Sequence, residues 1–235
     1  MVVAIITGAS RGLGYALSAG LAAAGWDLVT DARTAAELTA ATHRLRSAGA
    51  RAVVAVPGDV TDPVHRGELV AAADRLGGPD LLVNNAGILG PSPQPPLAAY
   101  PLEVLREVYE VNTLAPLALI QLALPALRER RGAIVTVTSD AAVEPYPGWG
   151  GYGSAKAAAE QASRVLAAEE PDVRVWAVDP GDLRTRMHQE AFPGEDIGDR
   201  PPPESVVPAF LRLLAGAPPS GRVRLADLAA TGAAR

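Results

Sequence analysis

"VVAIITGASRGLG", Val2 to Gly14, reads as a short apolar strand running directly into a glycine-rich turn. Glycine lacks a Cβ, so a tight turn costs little and a ligand can approach its backbone closely. The residues that follow, 12–24, carry the Ala/Leu pattern of a helix. Such a helix aims its free N–H groups and positive dipole end at the turn, where a pyrophosphate would be held. Gly8, Gly12 and Gly14 give the spacing GxxxGxG, which differs from the GxGxxG dinucleotide fingerprint. A plain βα turn would satisfy the same glycines, so the position of the turn right after the first strand carries the reading.

Working outward, apolar runs near residues 27–31, 51–56, 80–84, 132–138 and 173–178, with a weaker one near 222–225, read as further strands. Helical stretches near 34–48, 63–76, 101–128, 151–168 and 204–215 lie between them. This βαβα alternation predicts an α/β fold: a doubly wound parallel sheet of about seven strands, with helices on both faces, in a single domain over residues 1–235. Runs such as "LLVN" and "AIVTVT" suit strands buried on both sides. Three long loops follow predicted strand ends: 88–101, 140–151 and 189–204. Open α/β sheets bind ligands at that edge, and the segment 186–204 is expected to form a substrate loop or lid.

Composition excludes several alternatives. The net charge is −5 without a basic tract, so neither nucleic acid nor an anionic membrane surface is expected as a partner. The chain has no cysteine, which removes disulfides, thiolate metal sites and thiol nucleophiles. No apolar run approaches the roughly 20 residues that span a bilayer, and "MVVAII" lacks the features of a signal segment, so a cytoplasmic location is expected. No carboxylate and histidine cluster has metal-ligand spacing. His43 and His65 fall on predicted surface helices, and His188 falls near the expected lid.

The second strand should end near an adenosine ribose. An acid there would bond the ribose hydroxyls and repel a 2′-phosphate. The sequence reads "DLVTDARTAAEL": Asp31 is acidic, but Arg33 follows it and Arg11 lies in the glycine turn. Two guanidiniums near one spot suit a phosphate dianion, which favours NADP(H) over NAD(H).

"GYGSAKAAAE" places Tyr152 and Lys156 four residues apart, on one helical face among small residues. A nearby ammonium favours the phenolate, so the pair predicts a tyrosine with lowered pKa that serves as a general acid/base. By itself this could be a half-buried tyrosine beside a surface lysine. It is not alone. "TGASRGLG", "GDV" (58–60), "NNAG" (84–87), Asn112 in "VNTLAP", Ser139 in "TVTSDAA", "YGSAK" and "DPGDLRT" (179–185) stand in one order and register. From about residue 3 to about 185 the chain resembles the short-chain dehydrogenase/reductase family.

That resemblance implies roles residue by residue. Tyr152 would donate a proton to a carbonyl or take one from an alcohol. Lys156 would hold the nicotinamide ribose and tune the tyrosine. Ser139 would hydrogen-bond the substrate oxygen, and Asn112 would anchor a water in a proton relay. Gly8, Ser10, Arg11, Gly12, Leu13 and Gly14 would cradle the dinucleotide, with Arg33 at the position of NADP preference and Ala32 where NAD-preferring members carry an acid. Asp59 and Val60 would meet the adenine; Asn85, Ala86 and Gly87 would line its ribose. Pro180, Gly181 and Thr185 would border the nicotinamide.

The expected activity is hydride transfer between NADP(H) and a small-molecule ketone, aldehyde or secondary alcohol, run as a reductase. Tyr146 and Trp149 are candidate pocket walls, Trp149 equally a subunit or loop-packing contact, and Asp182, an acid near the expected nicotinamide pocket, reads rather as a solvated loop residue. A homodimer or homotetramer through helices 101–128 and 151–168 is expected, although the ending "GRVRLADLAATGAAR" departs from the family pattern. One alternative is an NADP(H)-sensing regulatory protein, which on this fold typically lacks the Tyr or Lys. Another is nucleotide-sugar chemistry, which in the family uses an added substrate domain for which 235 residues leave no room.

Overall fold

The computed structural model describes residues 2–230, so the end of the divergent C-terminal stretch lies outside the described residues. Seven strands form one sheet: β1 (Val3–Ile6), β2 (Asp27–Ala32), β3 (Val53–Pro57), β4 (Leu81–Asn84), β5 (Ala133–Val137), β6 (Arg174–Asp179) and β7 (Gly221–Arg224). Their order is β3-β2-β1-β4-β5-β6-β7, and each neighbouring pair is parallel. Ile5 of β1 lies between Val29 of β2 and Leu82 of β4. The chain winds outward from β1 to β3, then resumes at β4 on the other side. That switch opens a crevice beyond the carboxyl ends of β1 and β4.

Alternate residues of β1 serve opposite faces, which is why all four are apolar. Ala4 and Ile6 pack in one core with Leu17, Leu21 and Phe210; Val3 and Ile5 pack in the other with Leu69, Leu119 and Leu127. The first core is covered by α1 (Gly12–Ala23), α2 (Ala35–Ser47) and α8 (Val207–Gly216). The second is covered by α3 (Pro63–Arg75), α5 (Ala115–Arg130) and α6 (Gly150–Glu169).

The helix expected over 101–128 is a composite: α4 (Leu102–Tyr109), a π turn (Glu110–Leu114), then α5. The wider turn carries Asn112 inward. By length and composition the run Leu102–Arg130 is apolar enough to cross a membrane, contrary to the expectation from the sequence. In the fold its apolar residues Leu119, Ile120, Ala123 and Leu127 are buried against the sheet, which accounts for the composition. Two short helices are also additions to the expected pattern: α7 (Arg186–Ala191), inside an expected loop, and α9 (Leu225–Ala230).

Candidate functional site

The glycine turn is fastened by side chains from both neighbouring strands. The Gly8 N–H donates to Asp31 Oδ1 at 2.6 Å, and Ala9 N–H to the Asp31 carbonyl at 2.8 Å. Thr7 Oγ1 accepts from the N–H groups of Asn85 and Ala86, both at 3.0 Å. Asn85 Nδ2 donates to the carbonyls of Thr7 and Gly8 at 2.9 and 3.2 Å. Gly8 has φ +67°, and a Cβ there would sit 3.0 Å from Ala86 Cα. At Gly14 a Cβ would meet Asn85 Nδ2 and the Gly8 carbonyl at 2.4 Å. Both positions therefore require glycine on packing grounds. Asn85, expected along the ribose, lines the cleft but spends its amide on holding the turn.

By contrast with α3, where Asp62 caps the Val64 N–H at 2.8 Å, α1 begins without a side-chain cap and without an acid in its first turn. Its first N–H groups are left for an anion. The turn opens onto a cleft of about 1320 Å³ that brings together all the predicted cofactor residues, together with Ser139, Tyr152 and Lys156. Asn112 stands just behind this wall. Across the cleft from the turn, Thr185 lies 3.7 Å from where a Gly12 Cβ would be. A dinucleotide thus fits between the uncapped α1 and the loop after β6.

At the adenosine end Arg33 is exposed on the lining. Burial alone would raise the Asp59 carboxyl, but hydrogen bonds from the Thr61 N–H and hydroxyl, with Arg33 and His65 nearby, hold it below its ordinary value. Arg11 does not stand free: its Nη1 pairs with Glu37 at 3.3 Å. No motif in the sequence singles out Glu37. Asp31 is buried with both carboxylate oxygens engaged, Oδ1 by the Gly8 N–H and Oδ2 at 3.0 Å from His65 Nε2. His65 is therefore not a surface residue, as expected, but 3 % exposed. Gly58 admits it; a Cβ there would lie 2.2 Å from His65 Nδ1.

At the other end, α6 carries Tyr152 and Lys156, both buried. Lys156 Nζ donates to the Val137 carbonyl at 2.9 Å and stands 5.6 Å from the Tyr152 ring centre. Burial pushes the lysine down to about 8. The expectation of a lowered tyrosine pKa is corrected: burial first, then the charges of Asp140 and Asp179, push the Tyr152 phenol above its ordinary value. The phenol is protonated at neutral pH, the state a proton donor needs. Ser139 Oγ accepts from the Ala141 N–H at 3.2 Å and donates to Asp140 Oδ1 at 2.9 Å. Asn112 exchanges two hydrogen bonds with the Ile88 backbone, at 2.8 and 3.1 Å. Its Oδ1 would be 2.7 Å from a Cβ on Gly87.

Beneath these groups runs a buried ionic network. Arg222 on β7 pairs with Glu160 of α6 and, at 2.8 Å, with Asp179, and it donates to the Ser139 carbonyl at 3.2 Å. Glu160 also accepts from Thr138 Oγ1 and pairs with Arg164. Asp179 Oδ1 accepts from the Gly181 N–H at 3.0 Å. Arg222 thus ties the end of β5, the α6 helix and the loop after β6 together. Only the divergence of the C-terminal stretch hints at this in the sequence. Beyond β6, Thr185 caps α7 by accepting from the His188 N–H, and Ser92 Oγ donates to the Glu190 carbonyl at 2.6 Å. Tyr146, Trp149 and Asp182 all line the cleft, as does Phe192. Among the described residues no group of histidine and carboxylate side chains is arranged to hold a metal.

The family model described as short chain dehydrogenase matches residues 2–196. The chain is 39 % identical over 193 residues to 1-deoxy-11-beta-hydroxypentalenate dehydrogenase of Streptomyces arenae, covering 78 % of this chain and 68 % of that protein. It is 35 % identical over 202 residues to sepiapterin reductase of Rattus norvegicus, covering 80 % and 77 %. Among solved structures, the alcohol dehydrogenase of the archaeon Thermococcus sibiricus, complexed with 5-hydroxy-NADP, superposes with a TM-score of 0.84 at 31 % identity over 95 % of each chain. A short chain dehydrogenase of Escherichia coli CFT073 complexed with NADPH gives 0.86 at 26 % identity, over 95 % of this chain and 96 % of that one. The seven-stranded parallel sheet agrees with these matches, and the chain belongs to the short-chain dehydrogenase/reductase family of oxidoreductases.

Proposed function

We propose that the protein is an NADP(H)-dependent carbonyl reductase, using Tyr152 as proton donor to a small-molecule ketone or aldehyde. The observation that carries this reading is a buried, protonated Tyr152 sharing one cleft with Ser139, Lys156 and the uncapped start of α1. NADPH, when bound, supplies the hydride. The rest falls to this chain. The α1 N–H groups and the glycine turn bind the pyrophosphate, and Arg33 meets the 2′-phosphate. Lys156 Nζ, already in the cleft wall, orients the nicotinamide ribose through its hydroxyls. Tyr152 Oη gives its proton to the substrate oxygen as negative charge develops there, and Ser139 Oγ adds a second hydrogen bond. NADP and NADPH in the T. sibiricus and E. coli relatives support the choice of cofactor. Exposed Leu114, Leu122 and Val165, on the composite helix and α6, support a homodimer or homotetramer.

The test is NADPH and NADH consumption against a panel of ketones, aldehydes and diketones, with Tyr152→Phe alongside. NADPH should be consumed, and the substitution should lower kcat by roughly 10²–10⁴-fold, the share of a general acid, while NADPH binding persists. A fully active Tyr152→Phe protein would refute the proposed chemistry. Tight NADPH binding with no turnover on a broad panel would point to a sensing role instead.

A further inference from the structure

The catalytic-end serine is engaged by an acid that the proposed reaction does not use. Asp140 Oδ1 lies 2.9 Å from Ser139 Oγ, and Asp140 Oδ2 lies 3.0 Å from Tyr146 Oη. An ionised carboxylate only accepts, so both hydroxyls point their protons at Asp140. A carbonyl oxygen seated beside Tyr152 needs the Ser139 proton and finds it turned away. The carboxylate also opposes the reaction electrostatically, because reduction builds negative charge on that oxygen. The same charge contributes to the raised Tyr152 phenol. No cation among the described residues forms an ion pair with Asp140, and Arg186 of the lining is already paired with Glu190. A plain ketone offers this carboxylate nothing in exchange.

A second observation concerns the wall. The chain has ten aromatic residues, and four of them, Tyr146, Trp149, Tyr152 and Phe192, line the cleft. Trp149 meets Tyr152 edge-on at 5.9 Å and Phe192 at 5.9 Å, and Phe192 stacks on His188 at 4.9 Å. A cleft lined by aromatic rings and holding a carboxylate offers the groups that receive an organic ammonium. Asp182, largely exposed on the same lining, is met by Arg200 Nε at 3.9 Å, whereas Asp140 has no ion-pair partner among the described residues.

We infer that Asp140 determines specificity at this site, and that the substrate is an amino-carbonyl compound with a protonated amine on the carbon next to the carbonyl. The inference rests on the carbonyl-reductase reading. The ammonium takes the place of Ser139 as donor to Asp140 and neutralises it. The Ser139 hydroxyl then turns to the carbonyl oxygen beside Tyr152. The carbonyl carbon gains the hydride that NADPH supplies, the C=O π pair moves to oxygen, and Tyr152 Oη delivers the proton. The products are an amino alcohol and NADP⁺, with the amine untouched.

Three isosteric ketones test this at pH 6.5: α-aminoacetophenone, α-hydroxyacetophenone and propiophenone, with NADPH and wild-type or Asp140→Asn protein. In the wild type, kcat/KM should be about tenfold or more higher for the aminoketone than for propiophenone, the hydroxyketone falling between, as expected for one charge-assisted contact. Asp140→Asn should erase that preference and speed propiophenone a few-fold. Tyr146→Phe keeps the carboxylate and should retain the preference, which guards against misfolding of the first variant. Equal rates for the three ketones, or a preference surviving in Asp140→Asn, would overturn the inference while leaving the reductase reading intact. If none is reduced, calorimetric titration with 2-phenylethylamine reads the site without turnover. Binding by the wild type but not Asp140→Asn supports the acid's role; binding by neither sinks it. Loss of NADPH binding itself would instead strike the reductase reading.

Discussion

The two ends of the cleft are built in different ways. The cofactor end is made by segments that follow β1, β2 and β4 and is held by short polar side chains on backbone N–H groups: Asp31 takes Gly8, and Thr7 takes Asn85 and Ala86. The substrate end is made by loops and α6, and it hangs on charged side chains from distant parts of the chain, with Arg222 of β7 at the centre. A site whose fastening residues, such as Thr7 and Asn85, lie inside its own short motifs can be read from those motifs. A site held by long-range ion pairs cannot, and it is also the end at which a substitution reaches the whole fold.

The largest test of that contrast is Arg222→Met. It leaves the buried Asp179 without its cation and the buried Glu160 with Arg164 alone. Breaking a buried pair from one side costs about 3–5 kcal/mol. At roughly 2–4 °C per kcal/mol for a chain of this size, calorimetry should show a fall in Tm of about 6 °C or more. A shift within a degree of wild type would mean that the substrate end does not depend on the network.

The same contrast explains what could be read from the sequence. The inner strands β1, β4, β5 and β6 stand out because burial on both faces makes each largely an apolar run, whereas the edge strand β7, half-buried and carrying two arginines, gives only a weak signal. The glycine turn was visible because Gly8 and Gly14 are fixed by contacts within one βα unit and its neighbour. The six residues of α7 were hidden in a Pro/Gly/acid-rich stretch, where Thr185 supplies the cap. His65 looked exposed because nothing local says that Gly58, seven residues earlier, leaves room for its ring. The tyrosine's direction of shift was misjudged for a related reason. Lys156 is four residues away in sequence and easily credited, whereas burial, the largest cause, and then Asp140 and Asp179 act on Tyr152 only through the fold.

Next in size is Arg33→Ala, which should act at the cofactor end alone. Losing hydrogen bonds from a guanidinium to a phosphate is worth about 1.5–3 kcal/mol, or roughly 10–100-fold. The KM for NADPH should rise by that factor, with kcat at saturation and the KM for NADH unchanged. A matching fall in saturated kcat would show that the two ends are coupled through the cleft rather than separately built.

Lys156→Met sharpens the contrast from the side of stability. The wild-type ammonium is buried, and its displacement from 10.5 to about 8 corresponds to about 3 kcal/mol of penalty in the ligand-free protein. Removing the charge recovers that penalty but leaves the Val137 carbonyl without its donor, a loss of about 1–2 kcal/mol. The variant should be inactive yet melt a few degrees higher near neutral pH. The sign follows from linkage. Below pH 8 both folded and unfolded lysines are charged and the penalty is complete; between 8 and 10.5 the folded state releases its proton and the penalty fades. The advantage of the variant over wild type should therefore shrink across that window. An advantage independent of pH would point to packing instead of charge.

The smallest effect is expected where the cofactor end departs from its own logic. Glu37 holds Arg11 at 3.3 Å and accepts from Ser10 Oγ at 3.4 Å, so an acid stands beside the guanidinium on the cofactor side. Both members of the Arg11–Glu37 pair are about half exposed, and such pairs are worth less than about 1 kcal/mol. Glu37→Gln removes the competing charge and leaves Arg11 to the dinucleotide. Affinity for NADPH should rise two- to fivefold at low salt, and the gain should fade as ionic strength screens it. NADH should respond far less, because it lacks the 2′-phosphate. An equal gain for both dinucleotides would place Glu37 opposite the pyrophosphate and leave 2′-phosphate recognition to Arg33.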